Sequence, residues 1–118
     1  MKYLTFDLDG EFYGVPILKI QEIIGLLPIS RVPKMPAFFR GVLNLRGTIL
    51  PVIDLRLRFA FDATEDTKRT CVIVVRPQED SNQTVGLVVD SVAEVKDIDP
   101  AQIESSISRP SDEAPIRR

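Results

Sequence analysis

Histidine is absent from this 118-residue chain, which removes the commonest general base and the commonest metal ligand together. Most nucleophilic and zinc chemistries lose their usual partner; carboxylate or lysine chemistry remains open. Cysteine is nearly absent too. The single Cys71 can form no internal disulfide, as expected in a reducing compartment. There is little net charge: 15 basic against 17 acidic residues leave −2, no overall field to draw in a phosphate backbone or an anionic membrane. Nucleic acid and direct membrane insertion are therefore poor expectations. No stretch approaches the roughly 20 apolar residues of a membrane span, and the opening MKYLTFD breaks its apolar run too early for a signal peptide. A Walker lysine motif, a dinucleotide glycine fingerprint, paired cysteines, internal repeats and low-complexity tracts are all missing as well. These absences point to a cytoplasmic chain without a phosphate-cradling or metal site.

What is present is short apolar stretches punctuated by turns. With 44% hydrophobic residues the chain can bury one real core. Residues 2 to 8, KYLTFDL, place Leu4, Phe6 and Leu8 on one face and Tyr3, Thr5 and Asp7 on the other, the period of a half-buried strand. Asp9-Gly10 tolerates the positive φ angles of a type I′ turn, so Glu11 to Val15 returns antiparallel and Pro16 ends it. Ile17, Ile20 and Ile24 fit a helical turn leading into a strand near Glu22 to Leu27. Three prolines between Pro28 and Pro36 make a surface crossing that ends in a turn or short helix at Ala37 to Arg40. Gly41 to Leu45 and Thr48 to Ile53 read as strands bracketing Arg46-Gly47. TCVIVV (70–75) and Thr84 to Val89 read as further strands, and Asp99-Pro100-Ala101-Gln102 as a capped helical turn. The end, SRPSDEAPIRR, shows no periodicity and reads as frayed. Short strands at this spacing indicate small barrels or a sandwich.

The candidate chemistry is thin. DLDGE (7–11) has the glycine in the wrong place for a calcium loop. Cys71, flanked by valines and isoleucine, reads as core packing. Glu65-Asp66 and Glu79-Asp80 read as solvated loop acids, and Arg56 and Arg58 as a solvated face. Arg46 stands apart. An arginine where a buried strand pair needs a bend is either a turn residue paired with a local acid such as Glu22 or Asp54, or an anchor for a partner, since the forked guanidinium is favoured at interfaces.

Four stretches then carry a resemblance: YLTFDLDGEFYGVPILKIQEI, PAFFRGVLNLRGTILPVIDLRLRF, TCVIVV and VGLVVDSVAEVKDI. In this order, and most specifically in the second, they resemble the CheW family of bacterial chemotaxis adaptors across nearly the whole chain. The resemblance implies an all-β fold of two small SH3-like five-stranded β-barrels. Residues 6–69 would lie mostly in the first, residues 1–5 and 70–107 mostly in the second, and 108–118 in a frayed tail. It implies no catalysis and no cofactor. It also implies a cytoplasmic adaptor, recruited to receptor arrays, that joins the helical tip of chemoreceptors to the regulatory domain of a CheA-type histidine kinase. Carried over onto matching positions, the receptor-binding residues would be Ile20, Glu22, Gly41 and Arg46; the kinase-binding residues are not assigned. An adaptor of a chemosensory pathway for pili, a detached kinase regulatory domain and a small carboxylate enzyme are the alternatives.

Relatives continue past the position of Ile107 through two more strands, so the second barrel is expected to be incomplete. Uncovering about four apolar side chains at ~1.5–3 kcal/mol each would cost ~6–12 kcal/mol, comparable with the stability of a domain. A second copy joined by strand exchange, a partner domain or a rearrangement of the remaining strands would have to compensate.

Overall fold

The computed structural model describes residues 1–59, 66–78, 82–99 and 116–117. Among these residues nine strands, two short helical turns and tight bends make an all-β fold in two sheets. β1 (Lys2–Leu8) and β2 (Glu11–Pro16) form the expected hairpin, with Asp9 at φ 54° and Gly10 at φ 82°, the positive pair of a type I′ turn. A 3-10 turn, Ile17–Lys19, leads into β3 (Ile20–Gly25). The strand starts and ends two residues ahead of the expectation because β6 (Cys71–Val75) pairs with it from Ile20 to Gly25. Tertiary pairing overrides the local periodicity.

The proline-rich crossing has no regular element. It ends in a turn closed by Phe39 N–H donating to Pro36 O (3.0 Å), and β4 (Phe39–Leu45) begins at once where a short helix was an alternative. β5 (Thr48–Asp54) returns antiparallel to β4 and runs into the single-turn helix α1 (Leu55–Arg58). β7 (Val85–Val89) lies between β6, antiparallel, and β5, parallel. β8 (Ser91–Asp97) pairs with β1. The last strand, β9 (Ile116–Arg117), pairs with Tyr13 and Gly14 of β2, so part of the tail expected to fray is held by a sheet. The capped helical turn expected at 99–102 falls almost wholly outside the described residues.

The resulting strand orders are β3-β6-β7-β5-β4 and β8-β1-β2-β9. They draw the division elsewhere than at residue 69: β6 and β7, expected mostly in the second barrel, sit in the middle of the sheet built from β3, β4 and β5. The reason is visible in β6. Every one of its residues is buried, Cys71, Ile73 and Val75 on the face toward the other sheet and Val72 and Val74 toward a second core. A strand apolar on both faces needs cover on both, and only a central position supplies it.

The five-stranded sheet curls around its own core of Leu43, Leu45, Leu50, Val52 and the Val72–Val74–Val88 row. Its edges approach each other where Ser30 and Val42 exchange two backbone hydrogen bonds of 2.9 Å. Among the described residues neither sheet is hydrogen-bonded all the way round. The four-stranded sheet lays Leu4, Phe6, Leu8, Tyr13 and Val15 against the other core face. Its opposite face is less open than the alternation predicts, for Tyr3 and Thr5 are buried. Tyr3 lies over Gly14, and the Thr5 hydroxyl fills a bulge in β8, donating to Glu94 O (2.8 Å) and accepting from Glu94 N (3.2 Å).

Candidate functional site

The β4–β5 turn is tight, and its backbone explains why the sequence there is unusual. Arg46 has φ 52° and Gly47 φ 89°, so both central residues are left-handed, as in a type I′ turn. Asn44 Oδ1 accepts from Gly47 N–H (2.9 Å) and pins the bend. Glycine meets this demand without strain, whereas a left-handed L-residue costs ~1–2 kcal/mol. Asparagine or glycine would be the economical occupant at position 46. An arginine held there, with its side chain 68% exposed, is displayed against the local conformational preference.

Its partner is Glu22 on β3, whose side chain is 26% exposed and whose carboxylate accepts from Arg46 Nη2. The pair bridges the turn to the neighbouring edge strand. Asp54, the other candidate partner, is occupied elsewhere. Beside the pair a cleft of about 360 Å³ is lined by Gln21, Arg46, Thr48, Asn82 and Thr84, with Leu45 and Leu50 at its floor.

The other two residues assigned by resemblance are not brought to this surface. A register shift in β3 between Ile20 and Glu22 breaks the usual two-residue repeat. Ile20 therefore pairs with Val75 and packs against the core between the sheets, while Glu22 pairs with Val74, whose side chain belongs to the other core. Gly41 is buried with φ 140°, and a Cβ there would stand 2.1 Å from Ser30 O. It is glycine because another segment of backbone crosses directly over it.

A second ionic cluster was misread from the sequence. Arg56, expected on a solvated face, is 2% exposed. It folds back onto the α1 cap: Asp54 Oδ1 accepts from Arg56 N (3.0 Å) and Nε (2.9 Å), and Oδ2 from Nη2 (2.8 Å). Its remaining donors reach Asp90 Oδ1 (3.1 Å) and Asp66 Oδ1 (3.0 Å). Arg40 closes the network on Asp66 (2.7 Å) and Asp54 (3.2 Å). Asp66 is an exposed loop acid as expected, but it is held by both arginines; Glu65, Glu79 and Asp80 lie outside the described residues. Hydrogen bonding from Arg40, then from Arg56, holds the Asp66 carboxyl down at about 2. That direction is opposite to what a general acid near neutral pH requires. Asp90 Oδ2 also accepts from Asp9 N–H (2.8 Å), at the tip of the β1–β2 hairpin. One guanidinium therefore ties the end of the five-stranded sheet to the turn of the other. Arg58, its neighbour but one, lies over the Phe38 ring at 5.4 Å.

Cys71 is buried in the core as expected, and burial pushes its thiol up. Among the described residues no cluster of three or more metal-ligating side chains is present. No helix among them is long and apolar enough to cross a membrane.

A family model described as the CheW-like domain matches residues 2–117. The chain belongs to the CheW-like domain family. It is 42% identical over 102 residues to the chemotaxis protein CheW of Klebsiella aerogenes, covering 86% of this chain and 60% of that protein. It is 37% identical over 105 residues to CheW of Helicobacter pylori, covering 85% and 62%. The crystal structure of the scaffolding protein TtCheW from Thermoanaerobacter tengcongensis superposes with a TM-score of 0.80 at 37% identity, over 91% of this chain and 73% of that one. The chain spans about 60% of the length of the first two relatives.

Proposed function

We propose that this CheW-like chain works as a non-catalytic adaptor of chemotaxis signalling, joining the cytoplasmic helical tip of a chemoreceptor to a CheA-type histidine kinase. The display of Arg46 from a left-handed turn position, paired to Glu22 across the rim, carries this reading. A side chain kept where the backbone disfavours it indicates a constraint other than folding. Relatives named for chemotaxis at 37–42% identity supply the pathway.

In this reading Glu22 and Arg46 make the receptor contact, and two opposite charges fix the register of an amphipathic helix docked beside them. Ile20 and Gly41 act from behind the surface: Ile20 anchors the start of β3 in the inter-sheet core, and Gly41 lets the Ser30 segment close the sheet. Arg46→Glu reverses the charge at the contact and sets two acids side by side. The variant is expected to stay folded and to lose co-sedimentation with receptor-bearing membranes. Recovery of the variant in the membrane pellet at the wild-type level would overturn the assignment.

A further inference from the structure

Between β7 and β8 the chain passes from one sheet to the other through a single residue. β7 of the five-stranded sheet ends at Val89 and β8 of the four-stranded sheet begins at Ser91, so Asp90 is the whole connection. One residue brings two soft backbone dihedrals and does not by itself fix the angle between the sheets it joins. The Asp90 side chain supplies what the backbone lacks. Oδ1 accepts from Arg56 Nη1 (3.1 Å), on the helical turn that continues β5, and Oδ2 accepts from Asp9 N–H (2.8 Å), in the turn between β1 and β2. The Asp90 N–H donates to Asp7 O (3.1 Å) on β1. Each carboxylate oxygen thus holds a different sheet, at the point where the chain crosses between them.

Arg56 does not depend on this bond for its own position. Its N and Nε donate to Asp54 Oδ1 and its Nη2 to Asp54 Oδ2 and Asp66 Oδ1. Losing the Asp90 charge therefore leaves the guanidinium anchored to the five-stranded sheet and removes only the link across. What this corner seals is Cys71. It pairs with Val89, the last residue before the connection, and its side chain lies in the core between the sheets. The Val92 backbone, just beyond the connection, hydrogen-bonds its thiol. We propose that Asp90 is a hinge between the two sheets, locked by Arg56 on one side and by the Asp9 turn on the other. Release of the lock opens this corner and exposes Cys71 while the strands within each sheet stay paired. The device is a property of the fold and is independent of the receptor contact.

Cys71 is the only cysteine of the chain, so its alkylation by iodoacetamide in the full chain, followed by mass spectrometry over a urea series below the unfolding transition, tests the hinge. Asp90→Asn places an amide donor against one of the two donors that the carboxylate accepts from. It is expected to raise the alkylation rate without urea about tenfold, for the loss of one charged hydrogen bond. That rate is expected to be nearly independent of urea, because a local opening exposes little surface. Asp66→Asn also takes a carboxylate from Arg56 but leaves both Asp90 bonds in place. Its rate is expected to change only by the factor by which its global unfolding constant changes. In the wild type, which needs no variant to fold, labelling at low urea is expected to outrun the rate set by global unfolding. Wild-type labelling that tracks global unfolding at every urea concentration, an Asp90→Asn rate equal to wild type or carrying the full urea slope of global unfolding, or an equal rise in Asp66→Asn would each overturn the proposal.

Discussion

Arg46 and Arg56 occupy one stretch, NLRGTILPVIDLR, and both pair with carboxylates, yet they have opposite surroundings. Arg46 sits on a strained turn in water with a single acid beside it. Arg56 is enclosed, its donors distributed over Asp54, Asp66 and Asp90. The difference teaches where each one's free energy goes. An exposed pair is screened and contributes ~1 kcal/mol or less, so its value lies in what it can offer a partner. A buried guanidinium is tolerable only when its donors are met, so removing either side leaves an uncompensated charge. Under the proposed function the same residue type thus serves recognition in one place, while in the other it serves cohesion.

The sharpest way to break this contrast is to remove the buried member. Arg56→Ala leaves Asp54 buried without its principal donor, and urea unfolding is expected to show a loss of ~3–5 kcal/mol. A loss below about 1 kcal/mol would mean that the network is ornamental. Acid should act on the same cluster by a second route. Asp66 is held at about 2 against an ordinary 3.8, so the folded state binds its proton less readily than the unfolded one. Its contribution is complete above about pH 4 and disappears as pH falls through 2. Unfolding midpoints measured between those limits are expected to fall with acid, and Asp66→Asn, already without the charge, to show a flatter profile.

The exposed arginine should behave otherwise. Arg46→Glu is expected to change unfolding free energy by no more than about 1 kcal/mol while abolishing receptor binding, a separation that Arg56→Ala cannot show. The smallest effect belongs to Arg46→Asn. Asparagine accepts the left-handed conformation more readily, and the relief opposes the lost pair with Glu22, so stability is expected to stay within ~1 kcal/mol of wild type or to rise. A loss larger than that would show that Arg46 is chiefly structural.

Much of the backbone was legible because it is local. The alternation in KYLTFDL, the Asp9-Gly10 turn, the Arg46-Gly47 bend and the buried TCVIVV strand follow from pleat, φ preference and run length. Arg46 and Glu22 were legible as candidates and lie together. Arg56 was not. Alternation after a strand ordinarily sends an arginine to water, and nothing local to DLRLRF says that Asp90 and Asp66 arrive from distant segments to meet it. Ile20 and Glu22 look like neighbours on one face at a spacing of two, and only the register shift against β6 turns them to different faces of the sheet.

The order of strand types, the turns and the family were determined by the sequence, since each depends on residues close together in the chain or on motifs read as text. The membership of each sheet was decided only in three dimensions. β6 and β7 are apolar on both faces, and a chain can satisfy two such strands only by choosing, among all its other strands, the ones that cover them. That choice is made by burial and hydrogen bonding across long separations, and it also determines which arginine is enclosed and which is left exposed.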